Sequence, residues 1–191
     1  NVSELLQADN HLKIVVDNSV NDRVYPQKAD FTFYGGIYRD VHVIVVNKNH
    51  FDLDYFGGPG LQITPKVDGK NAIVNIKSWH NAEDAEVLIR ILDAEGNVVA
   101  EGSGTDASLQ IAQVHLWDGL KDPYLYKAVL QLSVNGEIVD EISSRFGVRS
   151  FHVDPEKGFF LNGRAYPLHG VSRHQDRKGV GNALTRAHHR E

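Results

Sequence analysis

Neither cysteine nor methionine occurs among the 191 residues. Without cysteine, no disulfide and no thiolate metal site can hold the fold, and the redox compartment is left open. Long apolar runs are missing too: none approaches the roughly 20 residues that a helix needs to cross a bilayer. Charge of one sign is scarce. Lys and Arg number 20 against 25 Asp and Glu, and the formal net charge of −5 gives no support for a nucleic-acid or anionic-membrane partner. Asn1 is not a natural start, so the chain is expected to be a segment of a longer protein, and the lack of a leader then says nothing about compartment. Its length is enough for one core and part of another.

What is present is mostly β pattern. Residues 12–16 form a short β-branched run with the composition of a buried strand, followed by turn formers at Asp17, Asn18, Ser19, Asn21 and Asp22. An aromatic strand is expected at 31–34, a sharp bend at Gly35-Gly36, and a strand buried on both faces at 40–46. That is too few strands to close a sandwich. From 51 to 149 the pattern changes to short strands at regular spacing. Residues 72–79 alternate, with Val74 and Ile76 on one face and Asn75 and Lys77 on the other. In 85–92, Val87, Ile89 and Ile91 point inward. Further strands are expected at 98–99 and 109–112. The stretch 127–134 alternates through Ala128, Leu130, Leu132 and Val134, and Asn135-Gly136 folds it into a hairpin with 138–142. About seven short strands over roughly 100 residues is the arithmetic of an immunoglobulin-like sandwich.

The polar groups gather near the end. Two apolar runs flank Asn162-Gly163, a dipeptide that favours a two-residue hairpin turn, and 166–171 then reads as a strand releasing Ser172-Arg173-His174-Gln175-Asp176 at its C-terminal end. Read from the residues alone, this is as well explained by a hairpin followed by a solvated loop. The histidines have no His-x-x-x-His spacing for zinc. Ser172, His174 and Asp176, alternating at a strand end, cannot line up as nucleophile, base and orienting acid.

The words GFFLNGRAYPLHGVSRHQD (158–176), with GVGNALT (179–185) after them, resemble the start of the catalytic barrel of family 2 glycoside hydrolases. Within that family the Arg-His pair at 173–174 is most similar to the β-galactosidases. Two further stretches resemble the same family: ADFTFYGGIYRDV (29–41) is similar to the end of its sugar-binding jelly roll, and LWDGLKDPYLY (116–126) to its Trp-then-Pro-x-Leu-Tyr motif. The resemblance implies a mainly β chain. Residues 1–47 would be the C-terminal part of a jelly roll, 48–149 an immunoglobulin-like sandwich, and 150–191 the first hairpin and strand of a (β/α)8 barrel.

It also implies a function, retaining hydrolysis of terminal β-D-galactosides. The two catalytic glutamates of the family come from later barrel strands, so the chain alone is expected to be inactive. His174 would stabilise the transition state, Arg173 would orient a carboxylate or bind a sugar hydroxyl, and Asp30 would contact the sugar and, in some members, a sodium ion. No cofactor is required, although the parent enzyme is open to Na, Mg or Ca. Expected partners are β-galactoside sugars and the remaining jelly-roll and barrel strands, with a homo-oligomer open and neither nucleic acid nor membrane expected. The compartment is not read from the residues, and a bacterial cytoplasm or periplasm fits the family. Two alternatives stand beside this: a non-catalytic carbohydrate-binding sandwich, and the same family acting on β-glucuronides or β-mannosides. Trp117, Tyr124 and the Trp79-His80-Asn81 stretch read as structural rather than sugar-stacking, Arg39 and Asp40 as a structural ion pair, and Thr185 as the cap of a first barrel helix.

Overall fold

The computed structural model describes residues 1–23 and 32–191. They divide into two compact units, Ile44–His169 and a second made of Asn1–Val43 with Gly170–Glu191.

The larger unit carries all the regular strands among the described residues: β1 (Leu61–Asp68), β2 (Asn71–Ser78), β3 (Ala85–Leu92), β4 (Val98–Ser103), β5 (Asp106–Ile111), β6 (Tyr126–Val134), β7 (Glu137–Phe146), β8 (Phe151–Asp154), β9 (Gly158–Leu161) and β10 (Arg164–Ala165). The first seven form two antiparallel sheets, ordered β1-β2-β5 and β4-β3-β6-β7, and their inward side chains make one core. Period-two alternation is the reason. Ala72, Val74 and Ile76 from one sheet meet Val87, Ile89, Ile91, Ala128, Leu130 and Leu132 from the other, all at most 2% exposed. Burying each of the larger side chains stabilises the fold by about 1.5–3 kcal/mol. The expected immunoglobulin-like sandwich is therefore formed, with the predicted residues inward. Sequence reading missed β1, which alternates apolar and polar residues but contains Pro65. A proline lacks the N–H needed inside a sheet, and β1 is accordingly an edge strand, paired with β2 only.

Both Asn-Gly turns behave as expected. Asn135 and Gly136 have φ of 53° and 80° between β6 and β7, and Asn162 and Gly163 have 49° and 77° between β9 and β10. Two consecutive positive φ values match the right-handed twist of the flanking strands. Asn162 does more than turn. Its backbone N–H donates to Ser150 O at 2.9 Å, its Oδ1 accepts from Ser150 N at 3.1 Å, and its Nδ2 donates to Trp117 O at 3.0 Å. Arg164 pairs with Asp118 in the same place. The β8-β9-β10 hairpins are thus fastened to the 117–120 loop of the sandwich.

Trp117 and Tyr124 are structural here. Gly147 lets the Trp117 ring approach so closely that a Cβ would lie 2.8 Å from Trp117 Cβ, and the Arg149 guanidinium covers the ring at 5.0 Å. Tyr124 stacks on His115 at 3.9 Å, and its hydroxyl accepts from Ala94 N at 3.1 Å.

Several expected elements are not formed. Residues 12–16, 32–34 and 40–46 carry no strand, and Phe31 lies outside the described residues. The expected barrel strand at 166–171 is also irregular, regular pairing ending with β10 at Ala165. A strand exists only when a neighbour takes up its backbone N–H and C=O groups; among the described residues no ladder forms at these positions. Val15, Val43 and Val171 are 77%, 78% and 94% exposed, so apolar composition alone does not bury them. The expected helix after Thr185 is a single turn, but the cap is there. His188 N donates to Thr185 Oγ1 at 3.4 Å while Thr185 N donates to His188 Nδ1 at 3.1 Å, a reciprocal capping box with histidine in place of the usual glutamate.

Candidate functional site

The smaller unit holds a cleft of about 400 Å³ lined by two stretches remote in sequence, Thr32, Tyr38 and Arg39 on one side and residues 172–176 with Asn182 on the other. One contact explains how they meet. Arg39 Nη1 donates to Asn182 O at 2.8 Å and to Tyr38 O at 3.0 Å, with its guanidinium carbon 4.8 Å from the Tyr38 ring centre. A rigid planar cation with several donors suits two carbonyls and an aromatic face at once. The expected Arg39–Asp40 pair is not formed among the described residues.

A glycine makes a second contact between the two stretches. At Gly181, where φ is 54°, a Cβ would sit 2.9 Å from the Tyr34 ring, so the 177–181 turn closes against Tyr34 only because no side chain is there. Arg177 N donates to Gly181 O at 3.2 Å and Gly181 N donates back to Arg177 O at 2.9 Å. Arg177 also pairs with Glu191. On the opposite side, Arg173 Nη2 donates to His189 Nδ1 at 2.9 Å, which requires His189 to carry its proton on Nε2.

Arg173 and His174 therefore line one cleft, and both are exposed to solvent there. Asp30 lies outside the described residues. Sequence reading missed Thr32, Tyr38 and Asn182 and gave Arg39 no part; no local signal joins positions about 140 apart, although the run of polar groups at 172–176, Gln175 included, pointed to one wall. Among the described residues no three His, Asp or Glu side chains are gathered as a metal site. Among the described residues, two guanidiniums, one imidazole and one carboxylate, Asp176, line a solvent-open hollow together with hydroxyl and amide groups. Such a lining can grip a polyhydroxylated or anionic ligand by charge-assisted hydrogen bonds.

Residues 59–149 match the model of Glycosyl hydrolases family 2, and the chain carries a domain of that family. A solved FMN-binding β-glucuronidase from Facaelibacterium prausnitzii L2-6 is similar at 45% identity and a TM-score of 0.81, over 88% of this chain and 27% of that one. A β-glucuronidase of Bacteroides fragilis is 36% identical over 95% of this chain and 28% of its own length. The β-galactosidase BoGH2A of Bacteroides ovatus is 32% identical over 93% of this chain and 22% of its own. The chain thus spans about a quarter of the length of these relatives.

Proposed function

We propose that this chain is the sandwich and part of the sugar site of a retaining β-glycosidase, with residues 1–47 belonging to a jelly roll, 48–149 to the sandwich and 150–191 to the start of a catalytic barrel. The observation that carries the reading is the cleft in which Arg39, Arg173 and His174 converge from two remote segments. In a retaining mechanism one carboxylic acid protonates the leaving oxygen while a carboxylate about 5–5.5 Å from it attacks the anomeric carbon. On this reading those two groups belong to parts of the parent protein outside this chain. His174 and Arg173 hold the sugar, and His174 donates to a hydroxyl whose hydrogen bond strengthens as positive charge develops on the ring. Asp30 completes the sugar contacts and is the one residue with a claim on a sodium ion; no step depends on it.

The guanidiniums of Arg39 and Arg173 at the cleft suit a uronic acid, and the names of the F. prausnitzii and B. fragilis relatives support β-glucuronides as the substrate. A guanidinium at Arg173 would meet the uronate carboxylate. Terminal β-galactosides are the second reading, favoured by the Arg173-His174 pair and by the B. ovatus relative. The full-length protein carrying this chain should be assayed on aryl β-D-glucuronide and aryl β-D-galactoside. On the first reading Arg173→Gln lowers kcat/KM for the glucuronide by about 10- to 100-fold, the size of one lost charge-assisted hydrogen bond, and leaves the galactoside nearly unchanged. Equal losses on both substrates would remove the case for a uronate-binding Arg173. Turnover of either substrate at an enzyme-like rate by the 191-residue chain alone would overturn the whole reading.

A further inference from the structure

Outside the cleft, one place on the sandwich is built in a way that its packing does not require. The Tyr55 and Trp79 rings lie nearly parallel, 4.0 Å apart at 18°, and the Phe56 ring stands edge-on to Tyr55 at 4.9 Å. Phe56 is 94% exposed and has φ of 49°. A bulky aromatic residue in the left-handed region is a backbone outlier, and one that buries nothing gains nothing from packing in return. The loop around it is set by glycine. Gly57 and Gly60 have φ of 67° and 62°, and a Cβ on Gly60 would lie 2.6 Å from Asp52 O and 2.9 Å from Trp79 O. Trp79 itself is pinned by its backbone, with Trp79 N donating to Gly60 O at 3.0 Å and Asp52 N donating to Trp79 O at 2.9 Å.

Trp79 is also the wall of a second cleft, about 450 Å³, whose other lining residues are Lys77, Ser78, His80, Thr105 and Asp106. Lys77 Nζ and Asp106 Oδ2 are 3.2 Å apart and more than half exposed, a donor and an acceptor side by side at the rim. Ser78 is only 4% exposed, and its Oγ, like Nδ1 of His80, is buried with no hydrogen-bond partner among the described residues. Buried polar atoms are nearly always paired, so these two are unsatisfied groups on residues that line the cleft.

We propose that Phe56, Tyr55 and Trp79 with Lys77 and Asp106 form a carbohydrate-binding subsite on the sandwich, separate from the cleft that holds His174. A pyranose ring presents a flat face of C–H groups and an edge of hydroxyls. The flat face fits a rigid aromatic surface, and the hydroxyl edge fits an adjacent carboxylate and ammonium; an apolar wall with a few convergent polar groups is the general form of a small-ligand site. A purely apolar ligand would leave the Lys77–Asp106 rim unused. The occupant is thus a glycoside, whether a single sugar or one unit of a longer chain. The subsite rests on this geometry and not on the glycosidase reading: a sandwich that binds sugar need not hydrolyse it.

The test is a titration of the 191-residue chain with methyl β-D-galactopyranoside, methyl β-D-glucuronide and lactose, followed by NMR. With two tryptophans in the chain, the two indole N–H signals are assigned by Trp79→Phe and Trp117→Phe. The expected result is a saturable shift of the Trp79 signal, with Kd on the order of 1 mM, and no shift at Trp117. Phe56→Gly and Asp106→Asn should each weaken binding roughly tenfold, as loss of a central contact does, whereas His174→Ala should leave it unchanged. Phe56→Gly removes an exposed ring from an unfavourable backbone position, so its melting temperature should stay level or rise, separating lost binding from lost folding. Stronger binding of lactose than of the single sugar would identify the longer glycan as the occupant, and equal binding the single sugar. The proposal is overturned by no Trp79 shift at tens of times that concentration, by unchanged binding in Phe56→Gly, or by a shift with p-nitrophenol alone, which would mark a plain aromatic contact.

Discussion

The unit at 44–169 and the unit made of 1–43 and 170–191 use the same kinds of apolar residue to opposite ends. In the first, Ile76, Ile89, Ile91, Leu130 and Leu132 are wholly enclosed. In the second, Val15, Val16, Val43 and Val171 face solvent, and every core residue among the described ones falls outside it. The difference is not hydrophobicity. It is whether a β-branched run has a ladder to join and a facing sheet to bury against. The larger unit supplies both within about 100 residues, whereas the smaller is held by single contacts such as Arg39 to Asn182 and the Thr185–His188 capping box. A polar cleft forms readily in a unit of that second kind, because few of its groups are committed to a core.

Substitutions can break the contrast. The largest effect is expected at Leu130, whose truncation to alanine empties part of a closed core and should destabilise the sandwich by about 2–5 kcal/mol in urea unfolding; a loss under about 1 kcal/mol would mean that the two sheets do not share the core described. Asn162→Ala comes next. It removes the side-chain bonds to Ser150 N and Trp117 O and should cost about 1–3 kcal/mol, with amide exchange in β8 and β9 accelerating before that in β3 or β6. Val15→Ser should lie within about 0.5 kcal/mol of the parent chain, as substitutions at exposed positions do. A loss of several kcal/mol at Val15 would erase the distinction between the units.

The smallest effect is set by pH. Hydrogen bonds from Lys157 N at 2.8 Å and Glu156 N at 2.9 Å hold the Asp154 carboxyl below its ordinary value of 3.8. Because the folded value is depressed, the carboxylate supports the turn between β8 and β9 fully above the unfolded value. That support is lost as pH falls through the folded one. NMR signals of the turn should therefore change below pH about 4 while those of β3 and β6 stay in place, and Asp154→Asn should abolish the transition.

Much of the larger unit was readable because its signals are local. Val74, Ile76, Ile89 and Leu130 point inward as period-two alternation requires, and Asn135-Gly136 and Asn162-Gly163 turn where their conformational freedom allows. Edge strand β1 was not, although it alternates, since Pro65 within the run argues against a strand. The strands expected at 12–16 and 40–46 show the reverse error: composition gave the propensity for a strand, but a strand is a property of a pair. For the cleft, the cluster around Arg173 and His174 was visible as a polar run after an apolar one. Its opposite wall, Thr32, Tyr38 and Arg39, was not, and Arg39 next to Asp40 suggested the wrong partner.

The sequence by itself determined which residues of the sandwich face inward, where the two Asn-Gly hairpins turn, and where a run of polar groups, 172–176, follows an apolar one. Only the tertiary structure decided which strands find partners, that Arg39 reaches a carbonyl at Asn182, and that Trp79 stacks on Tyr55 beside an exposed Phe56. The physical reason is range. Alternation, turn propensity and capping act over a few residues and can be read along the chain, whereas ladders, cleft walls and aromatic platforms join residues far apart in sequence, and those contacts are chosen by the folded whole.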